Sequence, residues 1–329
     1  MSREVRKLQQ VGGGTYTVSI PKEWAVEHGM EAGSDVHLYP HADGSLVVRG
    51  SESDGDRLAR TRLDVTGLCP AATERLLRTA FLVGYDEIVV EAASLTADQR
   101  RVVRRATRTL TGTEPVAEGE DRVVLRNLLD ASEVSVSQSL VGMRSAVLAV
   151  YRTATAAVAA GEAVDRERLG HRGDEVGRSF VTVARHLNRS FESLAELDHL
   201  GVDRATLFDY YCAARELREV AAHAVALADL AGRVEEPAAD VGTVAEAARS
   251  AVDGATTAVV EGSRDGADEA FARRDAARER VDDLERTLAE RGGTHALRAT
   301  DCLRLTVGAG GRIAEAALRR AVREGDDCA

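Results

Sequence analysis

The densest set of side chains suited to a polyanion lies in the first 22 residues: Arg3, Arg6, Lys7, Thr15, Tyr16 and Lys22. Guanidinium and ammonium groups neutralise phosphates, and hydroxyls together with the backbone amides of Gly12–Gly14 can hydrogen-bond a sugar-phosphate chain. Lys7 and Lys22 are the only lysines among 43 basic residues, so both fall inside this stretch. The pattern reads as a DNA contact; the bland counterpart is a dimerisation hairpin with ordinary surface charge.

Elsewhere the chemistry-bearing types do not assemble into a catalytic set. Gly12-Gly13-Gly14-Thr15 lacks the Lys-Ser/Thr ending of a P-loop and reads as a turn. Gly308-Ala309-Gly310-Gly311 lacks the following strand and the acidic residue some 20 positions on that a dinucleotide site needs, so it reads as close helix packing. His171 and His186 lie fifteen apart on one helix. His28, His37 and His41 crowd the N-terminal segment without a Cys or carboxylate pattern, and all five read as satisfied or solvated imidazoles. Asp275 and Glu279 are i,i+4 carboxylates, but Arg274 and Arg278 flank them as on a salt-bridged, exposed face. No nucleophile–base pair, metal site or cofactor site emerges, and the expectation is a protein that is not an enzyme.

The elements that must hold the basic cluster come next. Tyr16, Val18 and Ile20 alternate with Thr15, Thr17 and Ser19, the period of a half-buried strand. Val5–Val11 reads as an earlier strand ended by the glycines. Pro21 starts a short helix with Trp24 on its inner face and Gly29 as its left-handed close. Val36–Tyr39 and Leu46–Arg49 pair across an Ala42-Asp43-Gly44 turn. Four short strands and one helical turn cannot bury a core within 50 residues, so residues 1–50 are expected to pair with a second copy.

Residues 51–127 read as a small α/β module, with strands at Thr61–Val65, Glu87–Glu91, Thr113–Ala117 and Val123–Leu125 and helices near 70–83 and 96–110. Thr96 is a suitable N-cap, and Arg100, Arg101, Arg104, Arg105 and Arg108 read as a solvated helix face. From residue 128 the apolar period becomes 3.6. Leu140, Val147, Tyr151, Ala154 and Val158 form one stripe, and Val176, Phe180, Val183, Leu187, Phe191 and Leu194 a second. Leu207, Tyr211, Ala214, Leu217, Ala221, Ala224 and Leu227 form a third. After Glu235-Glu236-Pro237 helices near 239–263, 267–291 and 295–324 repeat the scheme, the middle one striped by Phe271, Val281, Leu284 and Leu288. Two sets of three imply a doubled three-helix bundle over 128–329, with repeats at about 128–234 and 238–325.

The 329 residues, 44% hydrophobic and 29% charged, exclude a disordered or fibrous chain. No apolar run is long enough to span a bilayer, and MSREVRKLQQ is no signal peptide, so the expectation is a cytoplasmic protein without membrane insertion. Cys69, Cys212, Cys302 and Cys328 lack CxxC spacing, against a zinc ribbon or disulfide scaffold. The near-absence of lysine, the Ala/Gly/Arg richness and the net charge of −11 fit a GC-rich genome, a salty cytoplasm, or both, a halophile. Residues 1–50 carry 5 basic and 6 acidic side chains against 26 and 35 in residues 128–329, so the acidic excess belongs to the C-terminal part.

Residues 3–49, with Ile20-Pro21-Lys22, Trp24, the Gly33-Ser34-Asp35 turn and the final hairpin in order, resemble an AbrB/SpoVT-type swapped-hairpin domain of the archaeal form. That resemblance implies dimerisation through interleaved hairpins and DNA binding. The C-terminal part is similar to the PhoU family of two-repeat helical regulators of phosphate uptake. The carrying residues are His171-Arg172-Gly173-Asp174-Glu175-Val176-Gly177-Arg178, Leu217 to Asp229, and Ile313-Ala314-Glu315.

The fold class that follows is multidomain and mainly α: a swapped-hairpin β domain, an α/β module and a PhoU-like bundle of two three-helix repeats. The implied function is a dimeric DNA-binding regulator of phosphate homeostasis. The alternative is an adaptor that docks on the phosphate transporter or its kinase, its hairpins serving only to dimerise. Some PhoU proteins carry multinuclear metal clusters on acidic pairs four residues apart. Here the resemblance places Arg218 and Ala222, and Arg304 and Gly308, at the pair positions of the third and sixth helices. It places Gly173 and Gly177 at acidic positions of the second helix and Arg278 beside Asp282 on the fifth. Loss of the clusters is therefore expected, against a displaced site built from Asp174, Glu175, Asp275, Glu279 and Asp282.

Overall fold

The computed structural model describes residues 5–12, 14–40, 44–50, 56–193, 195–234, 238–291 and 294–325. The chain forms two compact units, Met1–Asp54 and Gly55–Ala329.

In the first unit β1 (Gln9–Val11) pairs antiparallel with β2 (Thr15–Thr17), with Gln10 opposite Tyr16. Gly12 takes φ +66° at the turn, as a chain reversal after three residues requires. The short helix α1 (Lys22–Glu27) follows, then β3 (His37–Pro40) paired with β4 (Leu46–Arg49). The first strand is shorter than the expected Val5–Val11, because only residues 9–11 find partners across the hairpin. Pro21 caps α1 instead of opening it; its ψ of 127° is not helical. His41, Ala42 and Asp43 lie outside the described residues.

The strand alternation expected to bury one face does not do so. Tyr16, Val18 and Ile20 are all exposed, and Trp24 is half-buried, stacked on His28 with ring centroids 4.7 Å apart. Among the described residues of this unit, ten large apolar side chains, from Val5 at 83% to Ile20 at 39% exposure, stand in solvent, and Met30 alone is buried.

The second unit begins with the α/β module. The strands β5 (Arg60–Asp64), β6 (Glu87–Glu91), β7 (Thr113–Glu118) and β8 (Arg122–Asn127) form one sheet in the order β5-β6-β8-β7. β5 and β6 are parallel, and the remaining pairs are antiparallel. Helix α2 (Pro70–Val83) supplies the crossover that a parallel pair needs, opening on Pro70 and closing on left-handed Gly84. Helix α3 (Ala97–Thr109) opens on a capping box of Thr96 and Gln99, and the buried Gln99 amide donates to the Val65 and Leu68 carbonyls, tying the helix to the loop after β5. Its arginines line the outer face: Arg104 pairs with Glu118 and Arg101 with Asp98, while Arg100 donates to the Gly119 and Glu120 carbonyls.

Among the described residues six long helices complete the unit. α4 (Val136–Ala160), α5 (Arg166–Glu192) and α7 (Arg204–Leu230) pack as one set, with the short α6 (Ala195–Leu200) between the last two. α8 (Ala238–Glu261), α9 (Arg264–Arg291) and α10 (Thr294–Glu324) pack as the second set. The sets meet where α4 lies on α8 and α7 on α10. Module and helices share one hydrophobic core, running from Val65, Leu77 and Ile88 to Leu217, Val281 and Leu303.

The first and third stripes face this core as expected. On α5 the stripe ends early: Phe191 is 62% exposed and Leu194 lies outside the described residues. The glycine run of α10 is a close approach of helices, not a ligand turn. A Cβ at Gly310 would sit 3.3 Å from the Val252 backbone nitrogen of α8, tighter than an ordinary van der Waals contact.

Candidate nucleic-acid interface

The residues proposed to meet DNA fall on one hairpin and its flanks. Arg6 and Lys7 sit in the extended segment before β1, Thr15 and Tyr16 on β2, and Lys22 at the first position of α1; all five are exposed. Arg3 lies outside the described residues. Successive residues of a strand point to opposite faces, so Thr15 and Tyr16 diverge. Thr15 shares a face with Val11, Gln9 and Thr17, whose hydroxyl donates to the Gln9 carbonyl, whereas Tyr16 shares the other with Gln10.

A single hairpin therefore does not gather Thr15 and Tyr16 on one surface. It presents amides and hydroxyls on a two-stranded ribbon, with Arg6 and Lys7 before it and Lys22 after it. The exposed amides of Gln9 and Gln10 are part of this ribbon and were legible in the sequence only as strand residues. Farther along, Arg49 lies over the Tyr39 ring at 5.7 Å, and His28 Nδ1 contacts the Trp24 carbonyl at 2.8 Å. Both side chains thus make local contacts within the unit.

The second unit holds its polar chemistry in ion pairs. At the junction of module and bundle, the buried Arg185 of α5 donates to the carbonyls of Phe81 and Tyr85 at 2.9 Å and to Asp86 Oδ1 at 3.0 Å, with its guanidinium 4.7 Å from the Phe81 ring centre. Burial, and then the neighbouring Arg189, pull its pKa down to about 10. Arg189 reaches the Gly84 carbonyl, Asp86 and Glu196. Gly84 admits it: φ is +113°, and a Cβ there would lie 2.5 Å from Arg189 Cγ.

His186 Nδ1 lies 2.5 Å from the other Glu196 oxygen, and its Nε2 is buried without a hydrogen-bond partner. Burial alone would raise the Glu196 carboxyl, but the hydrogen bonds from His186 and Arg189 outweigh it and bring the group below its usual 4.5. His171, by contrast, is exposed on α5.

Two of the positions compared with metal-binding acidic pairs hold guanidinium groups engaged with carboxylates. Arg304 pairs with Asp282 at 2.5 Å and with Glu285, and Arg218 pairs with Glu219 while lying over the Phe180 ring. Asp174, Glu175, Asp275 and Glu279 are exposed, and Asp275 is held by Arg274. Among the described residues no three His, Cys, Asp or Glu side chains converge as a metal site would need. Cys69, Cys212 and Cys302 are free thiols. Among the described residues no helix is long and apolar enough to cross a membrane.

Residues 9–54 match the sequence model of a family described as antidote-toxin recognition MazE, bacterial antitoxin. The match ends at the boundary of the first unit and takes in Thr15, Tyr16 and Lys22, leaving Arg3, Arg6 and Lys7 just upstream. No curated protein matches the chain. The N-terminal unit is thus similar to the AbrB-like hairpin domain of MazE antitoxins, a likeness consistent with a DNA-binding regulator.

Proposed function

We propose that the protein is a cytoplasmic, dimeric DNA-binding transcriptional regulator, whose N-terminal hairpins from two copies interleave and contact DNA through Arg3, Arg6, Lys7, Thr15, Tyr16 and Lys22. The observation that carries the reading is the family match over residues 9–54, on a unit that leaves ten large apolar side chains exposed among its described residues. A second copy would cover those side chains and bring two basic flanks to one surface.

The second unit takes the role of sensor or relay. Its helices pack in two sets of three, the arrangement a PhoU-like protein would have, and this supports reading phosphate status as the signal. The Arg185–Arg189–Asp86–Glu196 cluster would carry a shift of α5 into the module. Regulation then amounts to the bundle favouring one of two dimer states that differ in DNA affinity.

The test is selection of genomic DNA fragments by the full chain at high salt, followed by titration of the enriched sequence. The variant Arg6→Ala, Lys7→Ala, Lys22→Ala should bind more weakly on every sequence and flatten the salt dependence by about one unit of slope per charge removed. Equal binding by parent and variant at the same salt would leave the adaptor reading, in which the hairpins only dimerise.

A further inference from the structure

The seam between α7 and α10 is built unlike an ordinary ion-paired surface. Asp209 is fully buried, yet it accepts from Arg319 at 2.9 Å and from Arg323. Two turns along, buried Glu216 accepts from Arg312 at 2.7 Å and from Arg215 at 3.1 Å. The carboxylates lie beneath and the guanidinium groups above, with side chains of Arg215, Arg312, Arg319 and Arg323 between 37% and 51% exposed. Four cations over two buried carboxylates, with the exposed Glu315 between Arg312 and Arg319, still leave a local positive excess on a chain of net charge −11.

Large apolar side chains accompany the row. Phe208 shares the outer face of α7 with Arg215, seven residues apart. Leu305 shares a face of α10 with Arg312 and Arg319, again at sevens, and Val322 lies beside Arg323; all three apolar groups are exposed. At 1.5 Å per residue, equivalent cations recur about every 10.5 Å, the rise of a helix heptad.

We propose that this face docks an acidic amphipathic helix of a partner protein, laid along the α7–α10 seam. Its carboxylates, spaced at sevens, meet the outward N–H groups of the four arginines, and its apolar side chains cover Phe208, Leu305 and Val322. A guanidinium oriented by a buried carboxylate keeps free N–H donors in a planar fork, which suits a second carboxylate. Duplex DNA fits less well: its phosphates gain nothing from the three apolar groups. This inference stands apart from the DNA reading of the N-terminal unit.

The pairing of two arginines with each carboxylate supplies a variant that should stay folded: Arg215→Gln with Arg323→Gln leaves Glu216 on Arg312 and Asp209 on Arg319. Phe208→Ser is the apolar counterpart. The full-length protein is used to select from a displayed library of fully randomised 21-residue peptides, and the enriched peptide is then titrated against each protein. Expected are peptides with Asp or Glu at heptad spacing beside an apolar stripe, bound at least tenfold more weakly by both variants at unchanged melting temperature and unchanged light-scattering mass.

Enrichment of basic or patternless peptides, or equal affinity of parent and variants, overturns the proposal. So does loss of duplex-DNA binding in the double variant with peptide binding intact, or a drop in oligomer mass, which would assign the face to nucleic acid or to a second copy.

Discussion

The two units of this chain treat their apolar residues in opposite ways. Among the described residues of Met1–Asp54 ten large apolar side chains are exposed and Met30 is buried; among those of Gly55–Ala329 one core runs through the sheet module and six long helices. Both are built from regular, correctly patterned elements. The difference lies in length: strands of three or four residues make a ribbon with two open faces, whereas helices of 24 to 31 residues offer each other long continuous stripes. Patterning creates an apolar face; only enough chain, or a second chain, covers it.

The most direct way to break the comparison is to remove the first unit. Residues 56–329 should give the light-scattering mass of a monomer and melt at a temperature independent of concentration, whereas the full chain should be a dimer. A dimer of 56–329 as stable as that of the full chain would overturn the contrast.

Point changes should follow the same division. Leu303→Ala, at a fully buried site, should lower the stability of the second unit by about 3 kcal/mol in chemical unfolding. Leu38→Ala, at an exposed site on β3, should leave that transition unmoved and instead raise the dimer dissociation constant, read by sedimentation or mass photometry.

The buried ion cluster sharpens what holds module to bundle. Arg185→Met removes hydrogen bonds to two carbonyls and to Asp86, and should cost about 2 kcal/mol, since bonds to a charged group are individually stronger than neutral ones. Glu196 gives the pH dependence. Its folded pKa lies below 4.5, so its contribution to stability is complete above that value and is lost as the pH falls through the lowered one. In acid titrations followed by circular dichroism, Glu196→Gln should flatten the fall in stability in that window while lowering stability at neutral pH.

The smallest effect belongs to the cap of α3. Thr96→Ala removes the hydroxyl that accepts from the Gln99 backbone N–H and should cost about 1 kcal/mol in unfolding of the second unit. A loss well beyond that would mean that the cap also positions the buried Gln99 side chain on the Val65 and Leu68 carbonyls.

Much of this architecture was legible in the sequence, and for local reasons. The 3.6-residue period marked α4, α5, α7 and α9, and Thr96 marked the N-cap of α3; the structure adds that Pro70 and Gly84 bracket α2, because one fixes φ and the other takes a left-handed conformation. The candidate DNA contacts were legible as types and spacing, but not as a surface, since Thr15 and Tyr16 point to opposite faces of a strand.

What only the tertiary structure decided are the pairings across long sequence separations. Nothing local in α5 says that Arg185 and Arg189 would meet the end of α2 about a hundred residues earlier, or that Phe191 would stand in solvent at the end of an apolar stripe. Nor does a helix rich in arginine announce that Asp209 and Glu216 would be buried beneath Arg319 and Arg312 of another helix. Periodicity is a property of neighbouring residues and survives in a single line of text. The partner of a buried charge is set by which faces of distant helices meet, and that is fixed only when the whole core closes.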